Sequence, residues 1–346
     1  MRTRHAIRAG LLASFLAVAS PLAAAGVTIT DYPTTLGAPW GIGFSPFYNG
    51  YMVGGSQAWA FEEDLEGVSH GTVATDLRDL AVSPDGTAWI VEPTANKIWR
   101  YSANGTVTPF SVPGAPTGIA LGPDGNMWFT ENTGNKIGRI TPGGGVWESP
   151  AIPTGSSHPE GIALGPDGNL WFVETTGNNY ARITPEGTIT EYPLKTAGAS
   201  PEGIAISAYG VVAITEPGIN KIAFANIGDT ATLPAELSIP TSSSSPRGIV
   251  FGPDGGFWFV EYQTSRIGRA WNQNIPIQEL TIPTAGSHPR QIVVGSRNDL
   301  WFTESTGRLG HILLHPPGDP NGDGHVDVAD VFYLINFLFA GGPAPQ

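Results

Sequence analysis

The chain has 346 residues, of which 46 are Gly and 31 are Pro, and it contains no Cys. Acidic residues outnumber basic ones by 30 to 17, and this balance argues against a nucleic acid partner because binding to phosphates requires a basic surface. With no disulfides available, stability has to come from a large buried core. Apolar residues occur in short runs between Gly and Pro, a pattern typical of an all-β protein.

Residues 1–25 are predicted to be a secretory signal peptide. Arg2, Arg4 and Arg8 precede an apolar stretch, and three alanines at 23–25 provide small residues for cleavage. The apolar run is shorter than the roughly 20 residues that a spanning helix needs, so a membrane anchor is the weaker interpretation. We therefore expect a secreted protein, extracellular, at the cell surface or periplasmic, without a transmembrane segment.

Residues 26–314 contain a repeat of about forty residues, the period of a propeller blade. The plainest copies read APTGIALGPDGNMWFTE, HPEGIALGPDGNLWFVE and SPRGIVFGPDGGFWFVE, and the most divergent copy comes first, at 38–60. Each unit has an apolar strand, a tight turn, a Trp-Phe strand, a strand like NKIGRI and a strand like GTITEYPL. Seven such units predict a seven-bladed β-propeller with four antiparallel strands in each blade.

The last unit has only three strands before residue 314, whereas VTITDYP at 27–33 resembles the fourth strand of other units. We expect this N-terminal strand to complete the last blade and so remove an exposed sheet edge. The Trp and Phe of each second strand are expected to pack blade against blade. An exposed aromatic binding ring is the alternative.

Polar residues, all of them charged except Thr117, recur fourteen positions apart in six units, at the two ends of each first hairpin. These pairs are Arg78 with Glu92, Thr117 with Glu131, Glu160 with Glu174, Glu202 with Glu216, Arg247 with Glu261, and Arg290 with Glu304. Residues equidistant from a turn face each other across an antiparallel ladder. The spacing therefore predicts that all twelve side chains gather at one mouth of the central channel, where a small molecule, peptide or glycan would bind.

The two Glu–Glu pairs suggest a specific chemistry. Like charges placed opposite each other destabilise a sheet, so one carboxyl must be protonated or a divalent cation such as Mg²⁺ must lie between them. His158, two residues before Glu160, could add a ligand or a positive charge. Alternatively, the Arg–Glu pairs are purely structural and the glutamates spread into solvent, where salt screens their repulsion.

The repeated pattern P-x-G-I-A-x-G-P-D-G-N-L-W-F-x-E followed by N-K-I-G-R-I closely resembles the streptogramin lyase, or virginiamycin B lyase, family over residues 27–314. The resemblance implies a seven-bladed propeller that linearises a cyclic peptide antibiotic by magnesium-assisted β-elimination. The catalytic histidines would stand at Arg247 and Arg290, and the magnesium-binding glutamates at His288 and Glu304. Arginine cannot accept the proton that the elimination removes. The remaining candidate catalytic residues are His158, Glu160, Glu174, His288 and Glu304.

Residues 315–346 are predicted to be a linker and a calcium-binding repeat. The sequence DPNGDGHVDVAD supplies oxygen ligands with the spacing of an EF-hand loop: Asp319, Asn321, Asp323, the carbonyl of His325, Asp327 and Asp330. A short apolar helix is expected to follow. The segment resembles one type I dockerin repeat, which implies a cohesin-like or cell-surface protein partner. Val328 and Ala329 replace the usual Ser/Thr pair, so self-association or docking on the propeller are alternatives.

Two functional hypotheses remain open on the sequence alone. One is a secreted binding or scaffold propeller in an extracellular assembly, such as one that degrades polysaccharides. The other is a lyase of the streptogramin lyase type with a rearranged site. An acid or base of suitable pKa at the channel mouth would favour the enzyme, whereas Arg–Glu ladders filling the mouth would favour the scaffold.

Overall fold

The structure is a computed structural model that describes residues 27–34, 38–44, 50–61, 67–102, 104–229, 231–314, 328, 331 and 332, without the side chains of 50–75. The described part of the propeller consists of antiparallel β-strands, which form six four-stranded sheets and one three-stranded sheet. We call the four-stranded sheets blades 2 to 7, after the order of their repeat units.

The strands follow the predicted repeat. The three-stranded sheet contains β2 (Gly41–Gly43), β3 (Gly50–Phe61) and β4 (Gly67–Leu77). Blade 2 contains β5 (Leu80–Val82), β6 (Ala88–Glu92), β7 (Lys97–Tyr101) and β8 (Val107–Ser111). Blade 3 contains β9 (Pro116–Leu121), β10 (Met127–Glu131), β11 (Lys136–Ile140) and β12 (Val146–Glu148). Blade 4 contains β13 (Pro159–Leu164), β14 (Leu170–Glu174), β15 (Asn179–Ile183) and β16 (Ile189–Pro193).

The second half of the chain continues in the same way. Blade 5 contains β17 (Ile204–Ile206), β18 (Val211–Glu216), β19 (Lys221–Asn226) and β20 (Ala235–Ser238). Blade 6 contains β21 (Pro246–Phe251), β22 (Phe257–Glu261), β23 (Arg266–Ala270) and β24 (Gln278–Thr281). Blade 7 contains β25 (Pro289–Val294), β26 (Leu300–Glu304), β27 (Arg308–Leu314) and the N-terminal strand β1 (Val27–Pro33).

The predicted closure is confirmed, because β1 pairs with β27 from Val27 opposite Leu314 to Pro33 opposite Arg308. The first strands of successive sheets contact one another in chain order, and β25 contacts β2. Joining the two ends of the chain in one blade completes its four strands, so β27 is paired on both sides and its edge is covered.

The prediction of seven four-stranded blades is corrected to six in the described part of the chain. The first unit lacks the short hairpins of the others, and its residues form the long strands β3 and β4, of 12 and 11 residues. Since β4 ends only two residues before β5 begins, no residues are left there for a fourth strand. The three-stranded sheet still occupies its place between blades 7 and 2, because β2 contacts both β25 and β5.

The Trp and Phe of the second strands are core residues, as predicted. Trp128 and Phe172 are fully buried and belong to one apolar cluster that joins blade 3 to blade 4. Phe129 lies over Gly138 on the neighbouring strand, where a Cβ atom would come within 2.1 Å of its ring. The glycine of the NKIGRI strand is thus needed to make room for the aromatic ring of the partner strand.

A contact among Asp, Trp and Arg recurs in several blades. It joins the Asp of the tight turn to the Trp of the second strand and the Arg of the third strand. In blade 3 the indole N–H of Trp128 donates to Asp124 at 3.0 Å, while Arg139 stacks on the indole and pairs with Asp124 at 3.1 Å. Blade 6 repeats the arrangement with Asp254, Trp258 and Arg269. Blade 5 has lost all three members together, with Tyr209, Ala213 and Phe224 at these positions. The three residues therefore work as one unit that satisfies a buried indole.

The predicted signal peptide, residues 1–25, lies outside the described residues. So do the calcium loop and the helix after it, apart from Val328, Val331 and Phe332, which are exposed. Within the described part of the chain, no helix is long and apolar enough to cross a membrane.

The Asp–Trp–Arg unit makes a stability prediction. Replacing Asp254 by Ala leaves the indole N–H of Trp258 and the guanidinium of Arg269, whose side chain is 14% exposed, without their acceptor. We expect a loss of about 2 kcal/mol or more in the free energy of unfolding, measured by urea denaturation.

Asp85 occupies the same position in blade 2 and provides the control, because it is exposed and bonds to Ser83 and Thr87 rather than to a Trp. Asp85→Ala should cost less than Asp254→Ala. Equal losses would show that the indole and guanidinium contacts contribute nothing.

Candidate functional site at the channel mouth

The predicted pairing of Glu160 with Glu174 is wrong. Pro159, not Glu160, lies opposite Glu174, and the register shifts between Pro159 and Ile162. Equivalent shifts follow Pro246 in blade 6 and Pro289 in blade 7. The irregularity is a β-bulge at the entrance of the innermost strand, which re-aims the side chain that follows the proline. The two members of each pair therefore have separate environments.

The first members lie together at the channel mouth. Arg78, Thr117, Glu160, Glu202, Arg247 and Arg290 all line one cavity of about 320 Å³, together with Trp40. These side chains come from the starts of the innermost strands. The second members, Glu92, Glu131, Glu174, Glu216, Glu261 and Glu304, do not line this cavity and are at most 2% exposed. The expectation that twelve side chains share the mouth is thus corrected to six.

Three arginines at the mouth alternate with two aromatic rings. Arg247 stacks on Tyr262 at 4.1 Å, and Arg290 lies between Tyr262 at 5.4 Å and Trp40 at 3.4 Å. Arg78 covers Trp40 at 5.3 Å. All of these distances join a guanidinium carbon to a ring centroid. We call Arg247, Tyr262, Arg290, Trp40 and Arg78 the arginine–aromatic ladder. The negative face of each ring offsets part of the repulsion between the cations beside it.

The ladder is held by further polar contacts. The Nε of Arg290 donates to the hydroxyl of Ser305 at 2.7 Å, and this hydroxyl donates to the carbonyl of His288 at 2.8 Å. A guanidinium nitrogen of Arg247 lies 3.6 Å from a carboxylate oxygen of Glu202. Arg78 lies at the same distance from Asp76. The central arginine is therefore fixed by a hydrogen bond, and the outer two have loose ion pairs.

Carboxyl groups form the other part of the mouth. An oxygen of Glu160 accepts from the side-chain amide of Asn132 at 2.9 Å, and the oxygen of that amide lies 3.0 Å from Nδ1 of His158. Burial, reinforced by the nearby charge of Glu202, raises the pKa of Glu160 to about 7. Burial also raises the pKa of Glu202, against the opposing charge of Arg247. At neutral pH the mouth thus contains an acid that can both bind and release a proton.

Two polar residues stand where most units have glycine. Gly161 needs to be glycine because a Cβ there would lie 2.7 Å from the carbonyl oxygen of Glu202 in the next blade. Asp79 and Gln291 occupy this position on either side of the three-stranded sheet, and the Gln291 amide donates to Asp79 at 3.3 Å. Backbone N–H groups of Leu80 and Ile119 also donate to Asp79. Burial raises the pKa of Asp79 to about 6 despite these donors.

The second members form carboxyl pairs within the blades. Five of the six buried glutamates at the ends of second strands have an acidic neighbour from the fourth strand of their own blade. The pairs are Glu131 with Glu148, Glu174 with Glu191, Glu216 with Glu236, Glu261 with Glu279, and Glu304 with Asp31. Burial, followed by this neighbour, raises the pKa to about 7 in Glu174, about 8 in Glu131, Glu216 and Glu261, and about 9 in Glu304.

The fourth-strand acids tie neighbouring blades together. The backbone N–H of Thr154, in the loop after blade 3, donates to Glu191 of blade 4 at 2.8 Å. Thr241 donates in the same way to Glu279, and Thr284 donates to Asp31. The raised pKa of the buried glutamate beside each of these acids favours its protonated form. The carboxyl pairs are structural contacts between and within blades.

In blade 2 the buried glutamate, Glu92, has a different kind of partner. Pro109 stands at the position of the fourth-strand acid, and Trp99 at the position held by Gly or Ala in other blades. The indole N–H of Trp99 donates to Glu92 at 2.8 Å. The loss of the neighbouring carboxyl is thus accompanied by a new donor to the buried glutamate.

Comparison with known proteins shows which family has this architecture. Residues 75–233 match the profile of the Virginiamycin B lyase family. Virginiamycin B lyase from Staphylococcus aureus is 30% identical and superimposes with a TM-score of 0.78, over 83% of this chain and 99% of that chain. Its catalytically inactive variant with quinupristin is also 30% identical, with a TM-score of 0.77 over the same shares. The chain belongs to the virginiamycin B lyase family.

Two further comparisons assign no function to this chain. YCF48 from Cyanidioschyzon merolae is 17% identical, with a TM-score of 0.65 over 82% of this chain and 98% of that chain, which is a likeness of fold alone. A search of curated proteins found no significant match.

The residues at the family's magnesium positions do not converge in this virginiamycin B lyase family member. Nδ1 of His288 lies 2.9 Å from the carbonyl oxygen of Tyr262, and its ring packs against that tyrosine. Glu304 is fully buried beside Asp31 in blade 7. Among the described residues, no three His, Cys, Asp or Glu side chains form a group that could hold a metal ion. The bulge also removes the facing register of Glu160 and Glu174 on which the prediction of a divalent cation between them was based.

Several mouth residues were missed by the sequence reasoning. Trp40 was excluded because the first unit lacks a charged pair, although it lies between two arginines. Asp79 and Gln291 are detectable as departures from the glycine of P-x-G-I. Tyr262 and Asn132 directly follow the last glutamates of their second strands, Glu261 and Glu131. The symmetry of the hairpins drew attention to these glutamates and not to the residues after them.

The carboxyl pairs predict an unusual pH dependence. A buried glutamate whose pKa rises on folding stabilises the fold while it is protonated, and this contribution falls as the pH increases from its unfolded pKa of about 4.5 towards its folded pKa. For Glu216 this range ends at about 8. Glu216→Gln should therefore gain stability over the wild type with rising pH, by about 2 kcal/mol at pH 8.5, because the amide stays neutral and has no proton to lose.

Urea unfolding of both proteins at about pH 5 and about pH 8.5 measures this difference. Glu186, which is exposed, provides the control, and Glu186→Gln should show no such trend. A Glu216→Gln effect that stays constant between the two pH values would contradict protonation of the buried carboxyl.

Proposed function

We propose that this protein is a secreted binding propeller that uses the channel mouth of the virginiamycin B lyase fold without lyase catalysis. The observation that supports this most directly is the pair of arginines at the positions where the resemblance expects catalytic histidines. Arg247 and Arg290 both stack on Tyr262. A guanidinium stays protonated and cannot accept the proton that an elimination removes from carbon. The mouth nevertheless keeps a cavity of about 320 Å³, of the size of small-molecule sites.

A lyase with a rearranged site is the second candidate. Glu160 favours it, because this carboxyl faces the cavity with a pKa of about 7 and is oriented by Asn132. Such a group could accept a proton at neutral pH. In that case the arginines would stabilise negative charge on the substrate instead of removing a proton.

A direct assay separates the two candidates. The related enzyme from Staphylococcus aureus was solved with quinupristin, so this compound is the appropriate probe. Incubation with the purified full-length chain, followed by chromatography that separates cyclic from linear quinupristin, should show no linear product above buffer alone. The Staphylococcus aureus enzyme is the positive control. Linearisation that disappears in Glu160→Gln would instead establish the rearranged lyase.

The C-terminal segment is proposed to bind calcium and to attach the propeller to a partner. Asp319, Asn321, Asp323, His325, Asp327 and Asp330 provide the oxygen ligands of the loop. Val328, Val331 and Phe332 are exposed apolar residues directly around it. A cohesin-like or cell-surface protein, or a second copy of this chain, could cover them. Together with the signal peptide, this tail supports a role in an extracellular assembly, for example one that degrades polysaccharides.

Metal analysis tests the calcium proposal. The full-length chain should retain about one Ca²⁺, which should be lost both in Asp323→Ala and in a chain that ends at Leu314. The shortened chain retains all described propeller strands, since β27 ends at Leu314. Calcium that persists in the shortened chain would place the metal on the propeller and contradict the loop assignment.

A further inference from the structure

The proposed function does not specify the chemistry of the ligand. The arginine–aromatic ladder indicates which class of ligand the mouth binds. Three guanidinium groups lie within one stack that crosses from blade 6 to blade 2. Four of its five members, Arg78, Arg247, Arg290 and Trp40, line the cavity. Holding three like charges this close costs free energy in a partly buried site. Such a cost is recovered when an anion binds among them.

The central arginine has no anionic partner among the described residues. Arg290 makes no ion pair there, and only its Nε is used, in the bond to Ser305. Burial lowers the pKa of Arg290, against the opposing effects of Tyr262 and Glu202, and the charges of Arg247 and Arg78 add to the lowering. The terminal nitrogens of this guanidinium are the donors best placed to receive a ligand, because a guanidinium fork matches two oxygens of one carboxylate.

The acids of the mouth do not neutralise the ladder. Asp79 accepts from two backbone N–H groups and from Gln291. Glu160 accepts from Asn132, and Glu202 makes its direct ion pair with Arg247, at a loose 3.6 Å. The charge of Glu202 also acts on Arg290 and Arg78, without a direct ion pair to either. These carboxyls would repel a doubly charged phosphate, but they can accept hydrogen bonds from hydroxyl or amide groups of a ligand. A ligand with one negative charge next to hydroxyl or amide groups therefore fits both the arginines and the carboxyls of the mouth.

We propose that the channel mouth binds the carboxylate of a small ligand, with Arg290 as its main contact and Arg78 and Arg247 flanking it. This inference rests on the proposed binding function and specifies its ligand class. Two sources present this chemistry: an acidic sugar, whose carboxylate stands beside hydroxyl groups, and a peptide C-terminus, whose carboxylate stands beside an amide.

Calorimetric titration with two matched probe pairs tests the proposal on the full-length protein. The pairs are glucuronate with glucose, and acetyl-alanyl-alanine with its C-terminal amide. At least one acid should bind at least about tenfold more tightly than its neutral counterpart. Binding by glucuronate alone identifies an acidic sugar as the source, and binding by the peptide acid alone identifies a C-terminus.

Variants assign the binding to the ladder. Arg290→Gln should weaken binding of the acid by at least about tenfold, while Arg290→Lys, which keeps the charge but loses the fork, should be intermediate. Arg182→Gln is the control, because Arg182 stacks on Trp171 at 5.9 Å and does not line the cavity. Circular dichroism and the unfolding temperature would verify that the variants fold.

The outcomes separate the inference from the proposed function. Equal binding of acids and neutral counterparts, or acid binding that survives Arg290→Gln, would overturn the carboxylate assignment and leave a binding propeller. If none of the four probes bound, both the carboxylate assignment and a small-ligand function of the mouth would be rejected.

Discussion

The organisation of the site depends on how the innermost strands enter the channel. At Pro159 and Glu160 the first strand is bulged, and Gly161 allows its N–H to donate to the carbonyl of Glu202 in the next blade at 3.0 Å. This close approach between blades turns one set of side chains into the channel. It also leaves the glutamate of the second strand enclosed in its own blade. A regular hairpin would instead have put both sets across from each other. The bulge therefore separates binding residues from structural ones.

The repeats contain their own comparisons, because one structural problem is solved several times in a single chain. A buried glutamate lies beside a carboxyl neighbour in five blades, whereas in blade 2 it accepts a hydrogen bond from the indole of Trp99. Likewise, blade 5 replaces Asp, Trp and Arg of the outer unit together. Such joint changes indicate that the contact, and not the individual residue, is what each blade requires.

Periodicity was sufficient for the blades, for the closure by β1 and for the buried aromatic residues, because each depends on local pattern and on strand counting. It failed where geometry departs from regular repetition. Hairpin symmetry assumes an unbroken register, so it paired Glu160 with Glu174 and could not foresee the bulge. Equal spacing of the units also concealed that β3 and β4 are long strands without a fourth partner. Trp40 belongs to the site because units that are distant in the sequence pack together, and no local pattern reveals such packing.

The ladder shows how a catalytic fold can change its chemistry while the scaffold is kept. Placing Arg where an elimination would need a neutral base removes a proton acceptor and adds a permanent charge. Repulsion between several such charges would destabilise the mouth, but Tyr262 and Trp40 stand between them. The rings make the cluster tolerable without neutralising it. If the mouth binds a carboxylate as proposed, the arginines are better explained as a change of ligand than as simple loss of activity.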